Sequence, residues 1–150
     1  MQLTSTRFTD AGILLIRIVI SAMMIIFHGY SKITAGPQLW EKIGKSMSPL
    51  GVDFFPVFWG FMAAVSEFII PMFIIAGILF RPSVLMLAFT MIVAMSTHFI
   101  KMDQWAKIEY PLALFAVLIG LFLTGPGKYS LQYLLSSKKS STDTSQQIKH

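Results

Sequence analysis

Four ionisable side chains lie within otherwise apolar stretches of this chain, namely His28, Glu67, His98 and Glu109. Carboxylates and imidazoles exchange protons and ligate metals, so such a group is typical of a proton relay, a quinone headgroup site or a metal site. A di-iron carboxylate centre needs Glu-x-x-His pairs, and the sequence has none. We therefore predict one catalytic cluster of these four residues and assign no metal ligands, while the paired histidines leave haem or another metal open.

A plainer interpretation is that the four residues only pack. A histidine taken alone is more often an ordinary packed side chain, and Glu67 could be the structural partner of a nearby arginine. Against this, a carboxylate inside a membrane is costly and usually faces a protein interior or a wet cavity, which makes it a functional-site hypothesis by default.

Glu67 lies near the centre of the stretch that organises the chain, Val57–Phe80, and is its only ionisable residue before Arg81. About 20 apolar residues in a helix cross a bilayer, so this stretch predicts a membrane span. Small residues share one helical face with Glu67 and would allow a neighbouring helix to approach: Gly60, Ala63, Ala64 and Pro71. Glu67 is therefore expected to point into a helical bundle.

Three further spans are predicted, at 12–30, at 82–100 and from about 104 to 124. Each carries polar or small residues on one face. These stripes are Arg17, Ser21, His28 and Lys32 in the first span, Ser83, Thr90, Ala94, Thr97 and His98 in the third, and Glu109, Ala113, Ala116, Gly120 and Thr124 in the fourth. The expected fold is all-α, an integral membrane antiparallel four-helix bundle.

The four candidate residues are predicted to lie at a similar depth in the membrane. Counted inward from one membrane face, Glu67 lies 13 residues deep, Glu109 15, and the two histidines 16 each. At about 1.5 Å of rise per residue, the four fall within about 5 Å in height. Arg17 lies roughly 12 Å lower by the same rise, and we expect it to offset a buried carboxylate.

Residues 34–56 join the first two spans and are predicted to form a short interfacial helix. Pro37 suits a first helical position, and an apolar stripe opposes charged residues: Leu39, Trp40, Ile43 and Met47 against Glu41, Lys42 and Lys45. The same pattern could form a lid over a polar cavity. The predicted membrane domain covers 1–132, and 133–150 are predicted to be a mobile polar tail.

Composition agrees with an integral membrane protein. Of 150 residues, 55% are hydrophobic and only 13% are charged, about half the soluble norm of about 25%. The formal net charge is +5, but the basic residues are scattered around apolar segments, which argues against a nucleic-acid partner and for contact with lipid. There is no cysteine, which excludes a disulfide framework and a thiol relay.

The positive-inside rule leaves the orientation tied, because five Lys or Arg residues flank the spans on each side. These are Arg7, Arg81, Lys128, Lys138 and Lys139 against Lys32, Lys42, Lys45, Lys101 and Lys107. Trp40, Trp59 and Trp105 gather on the second side. With Arg17 near the first side, they favour both termini in the cytoplasm.

Several short motifs, in this order, resemble the DoxX family of four-helix membrane proteins, which is related to the DoxD subunit of thiosulfate:quinone oxidoreductase. They are LLIRIVISAMMIIFHGYSK, SEFIIPMFIIAGILFRP, STH, IEYPLAL and TGPGKYSL, and they span about 12–132. The resemblance implies a bacterial inner-membrane protein with quinone-linked redox chemistry. It carries over to Arg17, His28, Gly29, Lys32, Glu67, Arg81, His98, Glu109, Gly125 and Gly127. Arg17, Lys32 and Arg81 are then expected to bind ligand.

Two functional hypotheses remain open. In the first, the chain is a quinone-linked redox enzyme or subunit, in which a cavity takes the ring and the four-residue cluster exchanges its protons. In the second, it is a non-catalytic scaffold for a partner oxidoreductase or a carrier of a small polar solute. A homo-oligomer is compatible with either hypothesis.

Overall fold

The computed structural model describes residues 2–137, and every regular element in that part of the chain is helical. Helix α1, Gln2–Met24, continues through a π-helical segment, Ile25–Gly29, into α2, Tyr30–Thr34. Helix α3, Pro37–Gly44, and a 3₁₀ helix, Lys45–Leu50, lead to α4, Pro56–Ala76. Helices α5, Phe80–Ile100, and α6, Trp105–Thr124, follow, and 131–137 are again helical. Residues 138–150, most of the predicted tail, lie outside the described residues.

Four helical segments are long and apolar enough to cross a membrane: Arg7–Thr34, Pro56–Ala76, Phe80–Ile100 and Trp105–Thr124. Each has at least the 20 residues that a bilayer crossing takes. Large apolar side chains also cover the outside, as with Phe27 at 68% exposure and Leu123 at 73%. The prediction of a multi-pass α-helical membrane protein is confirmed.

Helix α4 ends four residues earlier than the predicted span, at Ala76. The reason is Gly77, which adopts the left-handed conformation (φ 67°) and donates its N–H to the Phe73 carbonyl at 2.8 Å. Glycine takes this conformation without steric cost and ends helices in this way. Phe80, assigned to α4 from sequence, instead begins α5, and its side chain is almost fully buried.

The apolar core lies where the four long helices meet. It contains Met24 from α1, Ile70 and Ile74 from α4, Phe80, Val84, Leu87, Ala88 and Met91 from α5, and Leu114, Leu118 and Leu121 from α6. These residues recur at helical spacing within each element. The core fixes which face of each helix turns inward.

Helix α6 presents the opposite face from the one predicted. Its buried residues are Pro111, Leu114, Leu118 and Leu121. The small-residue stripe is exposed: Glu109, Ala113, Ala116, Gly120 and Thr124. Leucine side chains make many more van der Waals contacts with neighbouring helices than alanine or glycine. Packing therefore favours the leucine face, and Glu109 turns away from the core.

Helix α3 packs closely along the beginning of α4. A Cβ atom added at Gly44 would collide with the Pro56 backbone, and one added at Gly60 would collide with the Trp40 backbone. The Trp40 indole also donates a 2.8 Å hydrogen bond from Nε1 to the Lys32 carbonyl oxygen. These contacts hold the end of the first span against α4, next to the residues of the candidate site.

Candidate functional site

The first span and α4 approach each other most closely beside Glu67. A Cβ atom at Gly29 would collide with the backbone of Glu67 and Phe68, so only glycine allows this separation. Gly29 ends the π-helical segment, which changes the helical register immediately before Lys32. The close approach and the register change together bring Lys32 within reach of Glu67.

Lys32 and Glu67 form an ion pair that sequence reasoning did not predict. Lys32 Nζ donates to Glu67 Oε1 at 2.6 Å and to Oε2 at 2.5 Å. The Glu67 side chain is only 5% exposed, while that of Lys32 is 26% exposed. Helical side chains lean toward the N-terminus, so Lys32 reaches back toward the Glu67 carboxylate. The sequence feature that could have indicated this ion pair is the position of Lys32, four residues after His28 on the polar stripe of the first span.

A cavity of about 490 Å³, here called the slot, lies between α4 and α5. Its walls include the aromatic side chains Phe58, Trp59 and Phe89, and the 3₁₀ helix closes one side with Met47. Phe58 and Phe89 are half exposed, so the slot opens to the outside of the bundle. Its polar lining includes Lys32, Glu67 and His98. The slot is an apolar cavity with an ion pair and an imidazole in its wall.

A second cavity of about 310 Å³, here called the vestibule, also contacts the ion pair. His28 lines it and stacks on Tyr110, with ring centroids 5.0 Å apart. The two cavities have four lining residues in common: Lys32, Glu67, Ala94 and His98. The structure thus brings three of the four predicted cluster residues, His28, Glu67 and His98, to adjoining cavities. Glu109 lines neither and is exposed.

His98 has a partner that sequence reasoning missed. Its Nδ1 lies 2.8 Å from Asp103 Oδ2, and Lys107 Nζ donates to Asp103 Oδ1 at 3.2 Å. Asp103 is in the loop between α5 and α6, where the hydrogen bond from His98, and then that from Lys107, lower the pKa of its carboxyl group. The i, i+4 spacing of Asp103 and Lys107 was readable from sequence. The turn that folds Asp103 back onto His98 was not.

Arg17 lies outside both cavities and, contrary to expectation, has no carboxylate partner among the described residues. It is fully buried, and its guanidinium donates to four backbone carbonyls: Ile74 at 2.9 Å, Ile75 at 2.5 Å, Pro126 at 2.6 Å and Tyr129 at 3.0 Å. The last carbonyls of a helix have no partner within it, and two of those of α4, at Ile74 and Ile75, accept hydrogen bonds from Arg17. This arrangement serves structure and leaves no donor directed at the slot.

Arg81 is also separate from the ion pair. It is exposed at the start of α5, and its guanidinium lies over the Phe122 ring at 5.6 Å from the centroid. His98 is 17 residues further along the same helix, about 26 Å away at 1.5 Å per residue. Of the three predicted ligand-binding cations, only Lys32 lies at the two cavities.

Metal ligation is not favoured by the described side chains. Within residues 7–137, no three His, Asp or Glu side chains are grouped closely enough to hold a metal ion. The arrangement can instead donate hydrogen bonds from a cation, accept protons on a carboxylate and an imidazole, and surround a ligand with aromatic walls.

These features define a multi-pass helical membrane protein with a charged pair between two cavities. The sequence model of the DoxX family matches residues 12–100, more than half of the chain, and the chain belongs to the DoxX family. The match includes His28, Lys32, Glu67 and His98, and it ends before the IEYPLAL and TGPGKYSL motifs. No curated protein and no solved structure matches the chain.

Proposed function

We propose that this chain is the membrane subunit of a quinone-linked oxidoreductase and that the slot binds the quinone headgroup. The observation that supports this most is the combination of aromatic walls with the Lys32–Glu67 pair and His98 in one cavity. Ligand sites are mostly apolar, with a few convergent polar groups that fix orientation. A quinone has this chemistry, because its ring is apolar and its two carbonyl oxygens accept hydrogen bonds.

The ion pair suits the proton chemistry of a quinone. Reduction to a quinol takes two electrons and two protons, so the site needs groups that release and recover protons. In the proposed arrangement Lys32 donates a hydrogen bond to a carbonyl oxygen, while Glu67 and His98 exchange protons with the ligand. The chain has no cysteine through which to pass electrons, so a partner oxidoreductase subunit supplies them in this proposal.

We propose that the four spans form an antiparallel bundle in a bacterial inner membrane, with α3 at the interface and both termini in the cytoplasm. Only 77–79 separate α4 from α5 and 101–104 separate α5 from α6, and such short connections favour antiparallel neighbours. The cysteine-free sequence makes labelling straightforward. A cysteine at Ser136 should react only from the cytoplasmic side and one at Ser48 only from the other. Labelling of both from one side would contradict this topology.

The binding proposal is tested with purified protein and a short-chain quinone. Lys32→Met removes the donor, and a hydrogen bond to a charged group contributes about 1.5–3 kcal/mol, so affinity should fall at least about tenfold. Lys42→Met is the matched control, because Lys42 is an exposed lysine of α3 that lines neither cavity. Equal quinone affinity in Lys32→Met, Lys42→Met and the parent would refute the slot as the quinone site.

A carrier of small polar solutes is the second candidate, favoured by the meeting of two cavities at one ion pair. A carrier and a quinone site differ in a simple measurement. Reconstituted vesicles should show no solute flux sensitive to Glu67→Gln if the quinone proposal holds, and saturable flux that depends on Glu67 would favour the carrier.

A further inference from the structure

The slot and the vestibule differ in chemistry, which suggests that they have different occupants. Only four of the 18 residues that line the slot are ionisable, which are Lys32, Glu67, His98 and Lys101. In the smaller vestibule six of the 11 lining residues are ionisable, which are His28, Lys32, Glu67, His98, Lys107 and Tyr110. Its lining also includes Ala106, which with Lys107 is exposed in the first turn of α6. The vestibule therefore opens beside the α5–α6 loop, where water can enter a polar cavity.

His98 lines both cavities, and its ring forms a hydrogen bond with Asp103 in the α5–α6 loop. At neutral pH Asp103 is a carboxylate, which only accepts hydrogen bonds, so His98 Nδ1 must be the donor in their 2.8 Å contact. That bond fixes the tautomer and leaves Nε2 to accept a proton. Nε2 has no hydrogen-bond partner within the described part of the chain. An imidazole held in this way can take a proton from water and release it again.

We propose that the vestibule is the route by which protons reach Glu67 from the aqueous side, with His98 as the proton carrier and Asp103 as the residue that positions it. This proposal rests on the proposed function only in taking Glu67 as a group that exchanges protons. A water proton binds His98 Nε2, the imidazolium is stabilised by the Asp103 carboxylate, and the proton then passes to a Glu67 oxygen. No electron moves in this step.

Charged groups from several elements surround His98 and affect its protonation. Asp103 and Glu67 favour the imidazolium, the first by direct contact and the second across the shared cavity wall. Cations disfavour it: Lys32 from α2, Lys101 from the loop and Lys107 from α6. His28 and Tyr110 complete the vestibule. The Asp103 carboxylate is the only one of these groups in direct contact with the ring, so its removal should have the largest effect.

The test follows Glu67 protonation after a rapid pH drop, without quinone. Purified protein is shifted from about pH 8 to about pH 4, just below the ordinary glutamate pKa of about 4.3. Time-resolved infrared spectroscopy records the protonated carboxyl band, which is assigned by its loss in Glu67→Gln. Asp103→Asn removes the charge and keeps the shape. Asp103→Glu restores the charge, and Asp53→Asn is the matched control in another exposed loop.

The expected result is a slowing of Glu67 proton uptake by about tenfold in Asp103→Asn, because the His98 ring loses the charge-assisted hydrogen bond that orients it. His98→Gln should be slower still, whereas Asp103→Glu and Asp53→Asn should match the parent. Melting temperatures confirm that each variant is folded. Equal rates in Asp103→Asn and Asp53→Asn would overturn the proposal, and so would the absence of any Glu67-dependent band in the parent. Because no quinone is present, failure of quinone binding cannot produce either outcome.

Discussion

Arg17→Lys should destabilise the protein and leave quinone binding intact. The guanidinium joins two parts of the fold, since it donates to the end of α4 at Ile74 and Ile75 and to the segment after α6 at Pro126 and Tyr129. A planar guanidinium presents five donors in a fork, whereas a lysine ammonium is a single point with three. Lysine keeps the charge, so the substitution isolates this difference in geometry.

The size of the effect follows from the bonds that lysine cannot make. One nitrogen cannot reach all four carbonyls, so at least one of the four bonds is lost and the rest are weakened. A hydrogen bond to a charged group contributes about 1.5–3 kcal/mol, which gives an expected loss of about 3 kcal/mol. For a chain of this size, about 2–4 °C in melting temperature corresponds to each kcal/mol, so we expect a decrease of about 6–12 °C.

Thermal unfolding in detergent measures this loss, and Arg81→Lys is the control. Arg81 is exposed, and its one specific contact within residues 2–137 is with the Phe122 ring, so its replacement should change the unfolding free energy by about 0.5 kcal/mol or less. Quinone affinity should be unchanged in both variants, because Arg17 lines neither cavity. An Arg17→Lys protein that melts like the parent but loses quinone binding would refute the structural role of Arg17.

Three further predictions concern the site. Gly29→Ala should separate the first span from α4, weaken quinone binding and lower the melting temperature. Gly12→Ala, in the same span with open space around it, should change neither quinone binding nor the melting temperature, and equal effects of the two substitutions would contradict the role of Gly29. Glu67→Gln and His98→Gln should reduce quinone affinity more than stability, whereas His28→Gln, which changes only the vestibule, should leave quinone affinity unchanged; parent-like binding by Glu67→Gln and His98→Gln would remove these residues from the quinone site. Because hydrogen bonds from His98 and Lys107 lower the pKa of Asp103, its stabilising effect should be present above the ordinary value of 3.8 and disappear as pH falls through the lower folded value. The protection factors of the amides at 101–104, which correct for the intrinsic slowing of exchange in acid, should therefore fall on acidification in the parent and not in Asp103→Asn.

The membrane fold could be predicted from sequence because its physical signal is strong. About 20 consecutive apolar residues leave few alternatives to a spanning helix. The end of α4 was harder to predict, because Ile78, Leu79 and Phe80 continue the apolar run beyond Gly77. Hydropathy does not register the left-handed conformation at Gly77 that ends the helix.

The candidate site was predicted only in part, and for a similar reason. Depth along a helix can be counted, so His28, Glu67 and His98 were placed at one level. Rotation about the helix depends on which face packs better, and Glu109 was misplaced because the leucine face of α6 is buried. The contacts of Asp103 with His98 and of Lys32 with Glu67 depend on a loop turn and a π-helical segment. Periodicity alone does not encode either feature.

Photoaffinity labelling with a light-activated quinone tests the central claim most directly. Mapping by mass spectrometry should place the label on the slot-lining segments, 58–67 and 86–101, and excess unmodified quinone should suppress it. Ala63→Phe, which fills the slot, should abolish the label, whereas Ala113→Phe, on the exposed face of α6, should retain it. Label spread over the lipid-facing surface, unaffected by competitor and by Ala63→Phe, would contradict a quinone site beside the Lys32–Glu67 pair.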